Sequence, residues 1–180
     1  MNSSFASAFS YLVSTLISLY ATAVLLRLLL QWVRADFYNP VCQFLVKITN
    51  PILVPLRRLV PSIGRIDTAS VLLLLLLEVL RILILGILAQ AAISPLATLV
   101  FAVFSLVAMV LWTYFFLIIA EVILSWVGRN FRHPVVPLIY QLTEPVLRPL
   151  RRLVPPISGI DLSPLFALII IRFLLLLIGR

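Results

Sequence analysis

The residues of this sequence best suited to chemistry are charged side chains set inside long apolar stretches. Five of them interrupt otherwise hydrophobic runs: Arg27, Glu78, Arg81, Glu121 and Arg172. A charge on a membrane-spanning helix is costly, so it usually faces protein or water and has a partner. This intramembrane charge network predicts either buried ion pairs that fix which helices meet, or a polar path for an ion or proton. Both alternatives stay open on the sequence alone.

A second group of candidate residues lies between the apolar stretches. The pairs Arg57-Arg58 and Arg151-Arg152 each stand in the segment Pro-Leu-Arg-Arg-Leu-Val-Pro. A basic residue near an anionic lipid leaflet gains about 1 kcal/mol, and arginine also binds phosphate with a planar fork of donors. The pairs therefore predict generic contact with anionic lipids, or a paired site for one specific lipid, protein or nucleic acid. Direct contact with nucleic acid has the least support, because the sequence has no Lys-rich tail or recognition motif.

Two aspartates offer a third kind of candidate. Asp67 and Asp161 each precede an apolar run, which is the position of a helix N-cap. A catalytic aspartate pair is the alternative, but no base, nucleophile or metal ligand accompanies it in the sequence. Cys42 and His133 do not form a metal-binding pattern. We therefore expect neither an enzyme nor a protein with a cofactor or metal.

The elements that must position these residues follow from composition. Of the 180 residues, 63% are hydrophobic and 11% are charged, whereas soluble domains are about a quarter charged. A bilayer core takes roughly 20 apolar residues per helix, and four stretches meet that need, at about 9–33, 68–92, 98–127 and 162–179. Because no Lys or Arg precedes the first stretch and it is long, we expect it to be retained rather than cleaved as a signal peptide. The prediction is an all-α integral membrane protein with four transmembrane helices.

The chain also resembles itself at an offset of 94 residues. The segment from Pro51 to Pro61 matches that from Pro145 to Pro155 at nine of eleven positions, and Thr49 and Asp67 match Thr143 and Asp161. This predicts two parallel helix–loop–helix repeats, at 1–94 and 95–180. Arg27 falls opposite Glu121 and Glu78 opposite Arg172, so that opposite charges can pair either within each repeat or between the repeats. Arg81 lies one helical turn from Glu78 on the same face and can share it.

The net charge of +8 is concentrated in the two connections that carry the Arg-Arg pairs. By the positive-inside rule, both connections face the cytoplasm and both termini lie on the outer side of the membrane. Within the first connection, residues 40–49 predict a short interfacial helix, which Asn50-Pro51 should break. The stretch between Pro55 and Pro61 should then hold at most a turn or two.

These motifs carry a family resemblance. The segment Pro-x-Leu-x-Pro-Leu-Arg-Arg-Leu-Val-Pro, followed six residues later by an aspartate and then an apolar helix, occurs twice and resembles the signature of the YggT family. The resemblance covers nearly the whole chain. It implies a bacterial inner-membrane protein of the two-repeat type, from a family connected with osmotic stress, cell division, nucleoid distribution and cytochrome assembly. It implies no defined biochemical activity.

The sequence thus leads to two functional hypotheses. The first is a protein that acts through its paired amphipathic cytoplasmic segments. These segments would organise membrane lipids, anionic ones in particular, or a membrane or cytoplasmic protein partner. The alternative is a small ion channel or carrier linked to osmotic stress that uses the intramembrane charge network. A small-residue stripe at Ser10, Ser14, Ser18 and Thr22 permits close helix contact, within the chain or between copies in a homo-oligomer.

Overall fold

The computed structural model describes residues 3–63, 67–90, 94–127, 133–154 and 161–179. Six helices and no strand lie in these ranges, which confirms the predicted all-α class. The helices are α1 (Ser3–Trp32), α2 (Pro40–Leu59), α3 (Thr68–Leu88), α4 (Pro95–Val127), α5 (Val135–Leu153) and α6 (Ser163–Leu177).

Three helices within the described residues are long and apolar enough to cross a membrane. They comprise Ser7–Trp32 of α1, Thr68–Leu88 of α3 and Pro95–Trp126 of α4. The fourth predicted span is α6, an apolar helix of 15 residues. At 1.5 Å per residue it is about 22 Å long, which is shorter than a bilayer core of roughly 30 Å. Length and composition therefore support three spans, and the fourth stays a prediction.

Helices α2 and α5 correct the prediction that prolines break the amphipathic segments. Helix α2 runs without interruption through Pro51 and Pro55, and α5 runs through Pro145 and Pro149. Each pair is spaced by four residues and exposed, so both missing N–H groups lie on one open face. The opposite face keeps its hydrogen bonds and its packing, and the helix continues.

The chain divides into two compact units, and α1, α2 and α4 each contribute to both. Unit 1 consists of Met1–Leu28 and Phe44–Val107, and unit 2 consists of Leu29–Gln43 and Ala108–Arg180. The predicted repeat boundary between residues 94 and 95 stays a prediction.

Each unit has a core built on helical spacing. In unit 1, α2 buries Leu45, Thr49 and Leu53, which are four residues apart and so share one face. In unit 2, α5 packs against α6, which buries Ala167, Ile171 and Leu175 at the same spacing. These buried faces fix the rotation of α2 and α5, and thereby decide which of their arginines point inward.

Candidate functional site

In unit 1, the first arginine of the Arg57-Arg58 pair forms an ion pair with the aspartate that precedes α3. Arg57, in the last turn of α2, donates from Nε to Oδ2 of Asp67 at 3.2 Å and also from Nη2 to that oxygen. The Ser70 hydroxyl donates to the same carboxylate at 2.6 Å. Asp67 is 2% exposed, whereas the Arg57 side chain is 36% exposed. Burial acts to raise the pKa of Asp67, but the hydrogen bonds from Arg57 and Ser70 outweigh it and lower that pKa below its ordinary value.

In unit 2, the equivalent arginine binds three carboxylates. Arg151 donates from Nε to Asp161 Oδ2 at 2.8 Å, from Nη1 to Glu144 Oε2 at 2.7 Å, and from Nη2 to Glu121 Oε1 at 3.0 Å. Burial acts to raise the pKa of Asp161, and the hydrogen bonds from Ser163 and Arg151 lower it overall. The arginine thereby joins the end of α4, the middle of α5 and the start of α6.

The second arginine of each pair is oriented differently. Arg58 and Arg152 are exposed, as are Lys47 on α2 and Arg148 on α5. The pairs proposed from sequence as lipid or partner sites therefore divide into one arginine that is held within its unit and one that is available at the surface.

The two aspartates lie at the starts of apolar helices, as their sequence position indicated, but their carboxylates differ in what they bind. Asp67 occupies the N-cap position of α3, and no backbone N–H of that helix is bonded to its side chain. Asp161 Oδ1 accepts the backbone N–H of Ser163 at 2.9 Å, although Leu162 occupies the N-cap position of α6. Both carboxylates serve mainly to hold the arginine that precedes them by ten residues.

Within the spans, Arg27 and Glu78 do not form the ion pair that was one of the two alternatives left open by the sequence. Arg27 is buried and donates from Nη1 to the Thr49 hydroxyl, which in turn donates to the Leu45 carbonyl at 2.6 Å. Glu78 instead binds Arg81, from Nε at 3.1 Å and from Nη2 at 2.7 Å. Arg27 and Glu78 differ by about 8 Å in their expected depth in the membrane, at 1.5 Å of helix per residue. The partners that they have in the structure, Thr49 and Arg81, lie within hydrogen-bonding distance.

The remaining charges of the network also have partners inside their own units. Arg81 donates from Nη2 to the Ser105 hydroxyl of α4 at 2.9 Å. Arg172 is exposed on α6, and its guanidinium carbon lies 6.0 Å from the centre of the Trp112 ring. That distance is at the limit of a cation–π contact. The alternative pairing between the two copies joins residues of different units and stays a prediction.

Glu121 is the charged residue of unit 2 with an unused polar atom. It is 6% exposed, and its Oε2 atom has no hydrogen-bond partner among the described residues, although Oε1 accepts from Arg151. The Thr143 hydroxyl lies near Glu121 but donates to the carbonyl of Ile139 at 2.9 Å.

Glu121 lines a pocket of about 690 Å³ whose described lining residues all belong to unit 2. Two other charged residues, Arg151 and Asp161, share the lining. The rest of the wall comes from α4, α5 and the first turns of α6: Val122, Ser125, Trp126, Tyr140, Leu162, Pro164, Leu165 and Leu168.

No three His, Cys, Asp or Glu side chains converge as metal ligands within the described ranges. Cys42 is buried at the start of α2, and burial raises the pKa of its thiol. The backbone N–H of Val135 donates to His133 Nδ1 at 3.3 Å.

Sequence reasoning missed the polar residues that complete these sites. Thr49, Ser70, Ser105 and Glu144 each bind one of the predicted charged residues. A signal was present for Thr49, which matches Thr143 at the repeat offset, and for Ser70, which follows Asp67 by three residues. No comparable signal marks Ser105, because its partner lies on another helix.

Nearly the whole chain is similar to known proteins. The model of the CCB3/YggT family matches residues 6–88 and again 100–180. An uncharacterized protein of Pseudomonas aeruginosa is 45% identical over 170 residues, covering 93% of this chain and 86% of the relative. An uncharacterized protein of Vibrio alginolyticus is 42% identical over 175 residues, covering 96% and 94%. The uncharacterized protein YggT of Escherichia coli K12 is 37% identical over 162 residues, covering 90% and 84%. No solved structure shows a significant match. The chain belongs to the CCB3/YggT family.

Proposed function

We propose that the protein is a non-enzymatic membrane protein that organises anionic lipids or a protein partner through α2 and α5. One observation carries this proposal: Arg57 and Arg151 bind aspartates within their units, while the adjacent Arg58 and Arg152 are exposed. Ion pairs to the following helix anchor the ends of α2 and α5, so the free arginines are presented from rigid positions.

The residues beside the free arginines support contact with a membrane surface. Leu59 is 79% exposed and Leu153 is 77% exposed, each next to an exposed arginine. An apolar side chain that enters the acyl boundary beside an arginine that reaches lipid phosphate is the usual arrangement of an interfacial helix. The buried faces of α2 and α5 leave this polar and apolar edge available.

The proposed setting is the bacterial inner membrane, with four spanning helices in two parallel repeats. Lys47, Arg58, Arg148 and Arg152 lie in connections that we place in the cytoplasm, with both termini on the periplasmic side. A reporter enzyme fused after Arg180 tests this topology, because its activity in the cytoplasm would contradict the periplasmic placement.

The lipid or partner contact is tested by replacing Arg58 and Arg152 together. We expect Arg58→Gln/Arg152→Gln to lower the retention of phosphatidylglycerol over phosphatidylcholine by purified protein, measured by native mass spectrometry from mixed bilayers. The matched control is Arg58→Lys/Arg152→Lys, which keeps the charge but not the fork of donors. If the glutamine variant retains the anionic lipid as well as the unchanged protein does, the free arginines do not organise lipids.

A protein partner would be detected by photo-crosslinking at Leu59 and Leu153. The comparison position is Ile87, which is also exposed but lies near the C-terminal end of α3, far along that helix from Asp67. Adducts of defined mass should form at the first two positions and disappear with the glutamine variant. Equal adducts at Ile87 would indicate unspecific contact.

A small ion channel or carrier in osmotic stress is the second candidate function. The observation in its favour is that Glu78 and Arg27 are buried within apolar helices, and such residues often mark ion paths. Potassium, sodium and proton flux into proteoliposomes tests it, with Glu78→Gln and Glu121→Gln as comparisons. Flux that persists unchanged in both variants, or no flux at several voltages, would reject a path through these residues.

A further inference from the structure

We infer that the pocket of unit 2 binds the primary ammonium group of an aminophospholipid headgroup, with Glu121 as its principal acceptor. The described lining residues of the pocket all belong to unit 2. This inference does not depend on the proposed role of the free arginines, because Arg58 and Arg152 do not line the pocket.

The charge of the lining calls for a cation. Among the lining residues that the structure describes, Glu121 and Asp161 contribute two negative charges and Arg151 one positive charge, which gives a formal net charge of −1. A buried carboxylate without full compensation is costly, and a cation that entered the pocket would remove that cost.

The unpaired Oε2 atom of Glu121 gives the cation a place to bind. It is buried, and Arg151 donates to the other oxygen of the same carboxylate. The Thr143 hydroxyl is within hydrogen-bonding reach of this carboxylate, but its single proton is donated to the Ile139 carbonyl at 2.9 Å. A hydrogen-bond donor on the ligand would therefore complete a carboxylate that this part of the chain leaves half satisfied.

The geometry favours an ammonium group over a metal ion. The Arg151 guanidinium lies between the carboxylates and binds each of them, and no group of three potential ligands in the described ranges could hold a metal. A primary ammonium carries three N–H donors and needs one good carboxylate rather than a closed shell of oxygens. Its attached CH₂ groups are also compatible with the apolar wall of Leu165 and Leu168.

The position and walls of the pocket favour a lipid over a soluble amine. Glu121 lies five residues before Trp126, about 7–8 Å along α4, and Trp126 and Tyr140 are both part of the lining. Such aromatic residues are typical of the level where headgroups meet acyl chains. Arg151 uses three of the five N–H donors of a guanidinium, so two remain for the headgroup phosphate.

The first half of the chain provides an internal contrast. Arg27 stands where Glu121 stands at the repeat offset, and it lies within electrostatic reach of Arg57 and Asp67. A cation at that position would face two guanidinium groups and one carboxylate. The inferred ammonium site therefore belongs to unit 2 alone among the two equivalent positions.

The test is a headgroup series on the purified full-length protein in nanodiscs. Phosphatidylethanolamine, its N-methyl and N,N-dimethyl derivatives, and phosphatidylcholine of the same acyl chains are compared by native mass spectrometry. Retention should be lowest for phosphatidylcholine, whose headgroup alone in the series has no N–H donor. Phosphatidylethanolamine should exceed it by about tenfold, as expected for one charge-assisted hydrogen bond. A flat series on the unchanged protein would overturn the inference without the need for any variant.

Two variants then locate the effect. Glu121→Gln should reduce the preference for phosphatidylethanolamine to nearly onefold. Glu144→Gln is the matched control, since it also removes one partner of Arg151 but does not line the pocket, and it should keep the preference. Retention of phosphatidylglycerol should be the same in both variants, which separates this site from the proposed contact at Arg58 and Arg152. Equal preferences in Glu121→Gln and the unchanged protein would refute the assignment to Glu121.

A soluble source of the ammonium group is tested in the same samples. Spermidine or ethanolamine at millimolar concentration should leave lipid retention unchanged if the pocket takes a headgroup. Displacement of phosphatidylethanolamine by either amine, with a bound amine of matching mass, would assign the pocket to a soluble amine and overturn the lipid assignment.

Discussion

Replacing each of the two aspartates by asparagine should have unequal effects on stability. Asp67 and Asp161 occupy equivalent sequence positions and each binds the arginine ten residues before it. Asp67→Asn and Asp161→Asn keep the side-chain volume and remove one negative charge. The sequence predicts similar effects from two similar motifs, whereas the structure predicts that the first change is much the more costly.

The expected magnitudes follow from burial and from the partners that remain. Breaking a buried ion pair costs about 3–5 kcal/mol, and breaking an exposed one about 0–1 kcal/mol. Asp67 is 2% exposed but the Arg57 side chain is 36% exposed and can reach water, so we expect Asp67→Asn to cost about 2–3 kcal/mol. Asp161 is 40% exposed and Arg151 keeps Glu121 and Glu144 as partners, so Asp161→Asn should cost about 1 kcal/mol or less.

The difference of about 2 kcal/mol is measurable by reversible unfolding. Each variant in mixed micelles would be titrated with a denaturing detergent while helicity is followed by circular dichroism, and the free energy of unfolding compared with that of the unchanged protein. Size-exclusion chromatography before titration establishes that all samples begin in the same state. Equal losses in the two variants, or a larger loss for Asp161→Asn, would refute the reasoning from burial and shared partners.

Three further changes test other contacts. Thr49→Val should destabilise the protein by about 1–3 kcal/mol in the same titration, because it removes the buried hydroxyl that accepts a hydrogen bond from Arg27. A loss below about 1 kcal/mol would show that this hydrogen bond contributes little to stability. A double-mutant cycle of Glu78→Gln with Arg81→Gln should give a coupling of about 1–2 kcal/mol, and a cycle of Glu78→Gln with Arg27→Gln one below about 0.5 kcal/mol. A larger coupling energy for Glu78 with Arg27 than for Glu78 with Arg81 would instead support the ion pair between Arg27 and Glu78. Finally, because the pKa of Asp67 is lowered by folding, its contribution is present above its ordinary pKa of about 3.9 and lost as pH falls through the folded value. The unchanged protein should thus lose more stability than Asp67→Asn between about pH 6 and pH 3, and parallel curves would contradict this.

The helical class was predictable from composition because 63% hydrophobic content leaves few alternatives to helices in a membrane. The helix ends at Trp32 and Val127 also lie within a residue or two of the predicted ends. Helix α6 also begins and ends within two residues of the predicted stretch at 162–179, but its 15 residues are fewer than the roughly 20 that a bilayer core takes. The continuity of α2 could not be read from its prolines one at a time. It depends on Pro51 and Pro55 sharing an exposed face, which becomes evident once the buried face is known.

The candidate residues were predictable by type, but the Glu78–Arg81 contact was the one partner choice that spacing along a helix indicated. Sequence reasoning matched charges with charges at the repeat offset, and it had no means to weigh a hydroxyl such as Thr49 against a carboxylate. It also treated the four arginines as one surface. The division between Arg57 and Arg58 is set by the rotation of α2, which is fixed by apolar residues such as Leu53 that carry no chemistry themselves.

The exchange of Arg27 for Glu121 explains why two similar halves need not do the same work. Both halves contain the arginine–aspartate pair, whose two charges cancel. The charge of Arg27 or Glu121 therefore has a large influence on the net charge around that pair. In unit 1 the buried guanidinium is bonded to a hydroxyl and repels cations; in unit 2 the buried carboxylate retains an unpaired oxygen. Two halves that share the arginine–aspartate ion pair but differ in the sign of one buried charge can anchor α2 and α5 in the same way, while the inferred cation site forms in one half. On this reasoning Glu121→Arg should abolish the ammonium preference even where the chain still folds, whereas Arg27→Lys should leave it intact.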